Sequence, residues 1–204
     1  MICTKRKILY IHVPKCAGKS IERHLFNAPG LPRSEHKGVR EYDEQTLQDH
    51  FTFSFIRNPW DRYVSGIAGI GRIWEPKRPG YYSLDNFKKH LLAETGVNTG
   101  HPGAKNPGLW SYEEFFLDEN GDMRIDFIGR FENFAEDWDT VRGMMLHAGH
   151  LDIDIGPLPV VNAAPKKRPH YSTYYDDESI EIVREVWKWD IETFGYEFED
   201  LRDK

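Results

Sequence analysis

Two cysteines in 204 residues, Cys3 and Cys16, argue against a disulfide framework and suit a reducing compartment. Long apolar runs are missing too. Nothing at the start resembles a signal peptide, since Lys5, Arg6 and Lys7 lead straight into a short strand. The expectation is a cytoplasmic protein with no membrane span, unless an N-terminal anchor precedes the sequence. Positive charge is in deficit: 27 Lys and Arg against 33 Asp and Glu give a net charge of −6, which argues against nucleic acid as a partner. Any anion must be gripped locally. Repeats and low-complexity tracts are also absent. What remains, 39% hydrophobic and 29% charged residues, is the balance of a globular protein able to bury a sizeable core. A single domain over residues 1–204 is expected.

The chain is organised around Ile8 to Phe26, ILYIHVPKCAGKSIERHLF. Ile8 to Val13 reads as a buried strand, Pro14 breaks it, and a helix is expected from about Lys19. A strand, a short glycine-containing loop and a helix make a phosphate cradle. Loop amides point inward, the helix N-terminus adds partial positive charge, and a lysine and a hydroxyl complete the shell. Gly18-Lys19-Ser20 spells the end of a GxxxxGK[ST] loop, but Val13 stands where its opening glycine belongs.

Phe51 to Ile56 (FTFSFI) reads as a second strand ending at Arg57. Asn58-Pro59-Trp60-Asp61 is a helix start, with Asn as N-cap and Pro at the first position, and the helix is expected to run to about Ala68. Gly69 to Tyr82 and Thr95 to Leu109 read as loops, with a short amphipathic helix, Asp85 to Glu94, between them. The pattern further predicts a turn at Asp118 to Asp122, a strand over Met123 to Ile128 and a helix over Phe131 to Leu146. That helix carries Phe134, Trp138, Val141 and Met145 on one face. A basic loop (Asn162 to Arg168) and one helix over Asp176 to Thr193 follow. Strands alternating with helices predict an α/β fold with a mainly parallel β-sheet flanked by helices.

Two strand-to-helix junctions stand out, PKCAGKS at Pro14 to Ser20 and RNPWDRYVS at Arg57 to Ser65. Each offers cationic and hydroxyl groups near a helix N-terminus, so a ligand held by both has two anionic ends. A nucleotide with separate 5′ and 3′ phosphates fits. Here the sequence resembles the PAPS-dependent sulfotransferases, particularly the carbohydrate (sulfotransferase-2-like) branch. HVPKCAGKS is similar to that family's HIPKTGGTS, FSFIRNPWDRYVSGI to FxFVRNPWDRxVSxY, and DFIGRFENFAEDW (Asp126 to Trp138) to DFIGRFENLxEDF. Asn162 and the tail Tyr174 to Phe198 match the family's closing pattern. The four stretches occur in order, with Gly69 to Leu109 the main unmatched part; residues 69–109 are expected to be an acceptor-side insertion.

The resemblance implies a P-loop-like sulfotransferase fold and transfer of a sulfonate group from PAPS to a hydroxyl or amine of an acceptor, most simply a carbohydrate, with no metal. Lys15, Cys16, Ala17, Gly18, Lys19 and Ser20 fall in the loop that holds the 5′-phosphosulfate. Arg57 and Ser65 fall on the 3′-phosphate ligands, and Lys166, Lys167 and Arg168 on a basic loop that closes over the donor. Cys16, Ala17 and Lys19 replace the family's Thr, Gly and Thr, so Lys15 and Lys19 both remain candidates for the sulfonate contact. Lys15 is the expected stabiliser of the leaving phosphate, with amides from Ala17 to Ser20. The plain alternatives are a solvated loop lysine for Lys15, an ion pair with Asp61 for Arg57, a helix serine for Ser65 and a solvated charge run for Lys166 to Arg168.

An acceptor hydroxyl also needs a base. His36 lies between the first helix and the second strand, where the resemblance implies a histidine base, its plain alternative being a surface loop residue; His101, Glu35 and Glu41 also compete, and His50 reads as structural. His147, His150, Asp152 and Asp154 lack a closing metal motif, and the Asp118 to Asp122 turn has Gly121 in the wrong place for a calcium loop. Other functions compatible with the sequence are a small kinase using ATP and a non-catalytic nucleotide-binding protein of the same fold. The missing glycine and the lack of a strand ending in a Mg²⁺-binding aspartate count against the kinase. The sequence leaves acceptor identity and oligomeric state open.

Overall fold

The structure, a computed structural model, describes residues 1–26, 36–69, 84–95, 110–152, 154–158 and 169–202. The chain divides into two compact units, residues 1–57 with 112–165 and residues 58–111 with 166–204.

The first unit holds a four-stranded sheet in the order β1 (Ile2–Cys3), β2 (Ile8–Ile11), β3 (Phe51–Ile56), β4 (Phe127–Arg130). β1 is antiparallel to β2, whereas β2–β3 and β3–β4 are parallel. All four residues of β2 are buried, as are all of β3 except Phe51, which explains why both strands read as continuous apolar runs: a parallel strand is covered on both faces. The unit's helices are α1 (Gly18–Leu25), α2 (Glu44–Asp49), α5 (Tyr112–Phe116) and α6 (Phe134–His147). Trp138, Val141 and Met145 of α6 are buried, on the spacing that predicted them.

Three features differ from the sequence expectation. β1 has two residues, too few to leave a pattern, and α2 is a polar six-residue helix that no periodicity marks; its start is fixed by Asp43, which accepts from the Thr46 amide at 2.7 Å. The strand expected over Met123 to Ile128 begins only at Phe127. Asp126 stops it from starting earlier by occupying the ladder position: its carboxylate accepts from the Thr52 amide at 2.7 Å, and its own amide donates to the Thr52 carbonyl at 2.8 Å.

The second unit packs α3 (Pro59–Gly69), α4 (Leu84–Thr95), α7 (Asp177–Val186) and α8 (Lys188–Phe194) with a 3₁₀ turn at Tyr171–Tyr174. Asn58 caps α3 as expected, accepting from the Trp60 amide at 3.1 Å, and its side-chain nitrogen donates to the Glu197 carbonyl at 2.9 Å. The single helix expected over Asp176 to Thr193 is broken at Trp187, whose ψ of 34° lies outside the helical range. Burial of its ring, 5.9 Å from that of Tyr63, outweighs one more turn of continuous helix. No helix among the described residues is long and apolar enough to cross a membrane.

Asp176 caps α7, accepting from the Ser179 amide at 2.9 Å, and pairs with Lys88 of α4 at 2.5 Å. Burial works to raise its pKa, but the bonds from Lys88 and Ser179 outweigh it and hold the carboxyl at about 2, against an ordinary 3.8. A carboxylate with a depressed folded pKa contributes stability above its unfolded value. That stability is lost as pH falls from about 4 through about 2, because the unfolded chain takes up the proton first. Allowing for solvent screening, the contribution is about 1 kcal/mol. Asp176→Asn is therefore expected to lower the urea midpoint at pH 7 and to flatten the acid limb of its pH dependence. An acid limb unchanged in the variant would remove this pair from the account.

Candidate active site

The loop between β2 and α1 is held in an unusual backbone shape. Lys15 (φ 68°) and Ala17 (φ 63°) are both left-handed, a conformation that costs a residue with a Cβ about 1–2 kcal/mol. Ala17 thus takes a conformation that glycine takes freely. It is also the N-cap of α1 and supplies no capping bond, and the first turn of α1 has no acidic residue. The helices α2 and α7 each begin under an aspartate. Among the described residues no side chain caps this eight-residue helix and no carboxylate stands in its first turn, an arrangement that suits an anion from outside. Of the amides expected to serve there, that of Ser20 is already donated to the Ala17 carbonyl at 2.9 Å. Cys16 is fully buried with its thiol turned to the Pro14 carbonyl at 3.5 Å, so only its main chain can serve. Lys15 is half-buried and Lys19 exposed.

Behind the loop lies a cluster of titratable groups that the sequence reading did not bring together. His12 follows β2 directly; its Nδ1 stands 2.6 Å from the Glu22 carboxylate of α1, and its ring stacks on Tyr10 with centroids 5.6 Å apart. That ring also covers Gly18: a Cβ built there would lie 1.9 Å from the imidazole Nε2. Gly18 is therefore set by close approach rather than by a left-handed turn. Burial, then Cys16 and Glu22, push the Tyr10 phenol well above its ordinary pKa, so it stays protonated. His36 meets the His12 ring edge-on at 4.7 Å, and its Nδ1 donates to the His12 carbonyl at 3.1 Å. Since a carbonyl only accepts, Nδ1 carries the proton of that bond.

Arg57, at the end of β3, reaches the same loop. Its guanidinium donates to the Lys15 carbonyl at 3.2 Å and lies 3.9 Å over the Phe131 ring. Its backbone is held from both sides by Tyr112, whose hydroxyl accepts from the Arg57 amide at 3.0 Å and donates to the Arg57 carbonyl. Phe131 belongs to the DFIGRFEN stretch, and nothing in its own sequence neighbourhood assigns it this platform. Ser65 is half-buried two turns into α3. His50 bonds the Thr46 carbonyl at 2.8 Å and is structural, as expected. Lys166, Lys167, Arg168, His101 and Glu35 lie outside the described residues.

The donor set is thus an open helix N-terminus, a lysine in the loop and an arginine tied to it. It suits a phosphate- or sulfate-bearing ligand, and a 5′-phosphosulfate fits it. No group of three or more metal-ligating side chains occurs among the described residues. No curated protein matches the chain. A family model described as "Sulfotransferase family" does match, over residues 1–197, so the chain belongs to the sulfotransferase family, in its sulfotransferase-2-like branch, whose chemistry is sulfonate transfer.

Proposed function

We propose that the protein is a PAPS-dependent sulfotransferase acting on a hydroxyl or amine of a carbohydrate acceptor. The observation that carries this is the bond from Arg57 to the Lys15 carbonyl, which ties the first residue of the second junction to the loop of the first within one unit. In our reading the open start of α1, with Lys15 and Lys19, receives the 5′-phosphosulfate, and Arg57 receives the 3′-phosphate. Ser65 and the run Lys166, Lys167 and Arg168 are assigned to the 3′ side on the family pattern alone. Transfer is in line. The acceptor oxygen bonds to sulfur as the bond from sulfur to the donor's phosphate oxygen breaks, Lys15 offsets the charge developing on that oxygen, and His36 Nε2 takes the acceptor proton. The whole chain is taken as one sulfotransferase-like domain, with 69–109 on the acceptor side. Continuity of the family match and three chain passages between the units support this. A cytoplasmic setting rests on the two free cysteines.

Calorimetric titration with adenosine 3′,5′-bisphosphate beside ATP and Mg²⁺ tests the donor. We expect the bisphosphate to bind more tightly, and Arg57→Ala to weaken it by about 2 kcal/mol or more, the scale of a charged hydrogen bond. Arg57→Lys should not restore it, because an ammonium lacks the planar fork. Preference for ATP with indifference to Arg57 would replace this reading with a kinase.

A further inference from the structure

We propose that His12 and Glu22 are positioning residues. They clamp the end of β2 to α1 and so hold the loop between them in its anion-binding shape before any ligand arrives. What the loop then binds rests on the function proposed above.

The pair encloses the loop at its narrowest point. His12 is the first residue after β2, Glu22 lies on α1 four residues beyond Gly18, and their 2.6 Å contact closes a ring of chain around residues 13–17. Both side chains lie within the protein, 5% and 12% exposed. The contact is off the hydrogen-bond direction, and neither His12 Nδ1 nor Glu22 Oε1 has another hydrogen-bond partner among the described residues. It is a close imidazole–carboxylate contact in a largely buried place, where polar contacts are stronger than in water. The imidazole is also fixed on three further sides, by Tyr10 stacked on it, His36 against its edge and Gly18 beneath it. A ring so confined carries its hold on Glu22 directly to the start of α1.

The loop needs such a hold. Lys15 and Ala17 are left-handed although neither is glycine, and a loop released from the clamp would relax toward right-handed backbone. The relaxed loop would have to be reordered by the ligand, and affinity would fall by the fraction of molecules that remain competent.

Glu22→Gln removes the charge and keeps the shape of a residue at the margin of the core, so the fold survives it. Two readouts are taken: calorimetric binding of adenosine 3′,5′-bisphosphate, and hydrogen exchange of the Ser20 amide, whose acceptor is the Ala17 carbonyl. We expect the dissociation constant to rise about tenfold, the factor set by one left-handed residue. The Ser20 amide should exchange faster while amides of β3 keep their rates. Ala17→Gly added to Glu22→Gln should recover most of the affinity, because glycine takes the left-handed shape unaided. Unchanged affinity and unchanged Ser20 exchange would overturn the clamp, as would faster exchange spread equally over β3 or a double variant no better than the single. If the wild type ignores the bisphosphate, the donor reading fails. Faster exchange confined to Ser20 would still support the clamp.

Discussion

Lys15→Met is expected to slow sulfonate transfer by about two to three orders of magnitude, the usual effect of deleting one charge-stabilising donor from a transition state. Methionine keeps the length and removes the ammonium. The bond from Arg57 goes to the Lys15 main chain, so the loop keeps its tie to β3 in the variant. The loss should therefore fall on turnover. Affinity for adenosine 3′,5′-bisphosphate, which lacks the sulfonate, should change far less, because the interaction matures only as charge builds on the leaving oxygen. Lys19→Met is the internal comparison. Lys19 is exposed on the first turn of α1, and an ammonium in contact with water has more alternatives to a ligand than one half-buried in the loop. A loss of less than about tenfold is expected for Lys19→Met, on the scale of an exposed charge contact. Bisphosphate release from PAPS, with any hydroxyl acceptor that gives turnover, is the measurement. A larger loss for Lys19→Met would exchange the two roles.

That both lysines could be named from the sequence reflects where the candidate site's information lies. The strand, the break at Pro14 and the glycine before the helix are local features, and local features leave local patterns. FTFSFI and the Asn58 cap were legible for the same reason. Contacts that span the chain were not. Phe131 supports Arg57 from 74 positions away, and Tyr112 holds the Arg57 backbone from 55 away. Nothing in the sequence around His12 or Glu22 marks them as partners. Their pairing exists only once β2 and α1 fold back on each other. The break at Trp187 was hidden because Asp176 to Thr193 is helical on both sides of it; the burial of one large ring decides where it splits. Ala17 shows the limit from the other direction. Its type argued against a left-handed position, and the fold imposes one.

Gly18→Ala brings two rules into conflict, and their magnitudes decide the sign. Helix propensity alone favours alanine over glycine by about 1 kcal/mol. Against it stands the His12 ring: a Cβ at position 18 would lie 1.9 Å from Nε2, 2.1 Å from Cδ2 and 2.6 Å from Cε1. No rotation of a free side chain relieves this, because the ring is 4% exposed and held by Tyr10, His36 and Glu22 at once. Either the ring leaves its seat or α1 moves off β2, and overpacking of this kind costs about 3 kcal/mol or more at the severe end of its range. The net expectation is a loss of about 2 kcal/mol in urea unfolding, with bisphosphate binding impaired further because the displaced groups frame the loop. His12→Ala combined with Gly18→Ala separates the causes. With the ring gone the added methyl has room, so the double variant should be more stable than the sum of the single changes allows, by about 1–2 kcal/mol. Strict additivity, or a Gly18→Ala protein as stable as the wild type, would mean that the imidazole does not rest on Gly18, and the clamp between β2 and α1 would lose its floor.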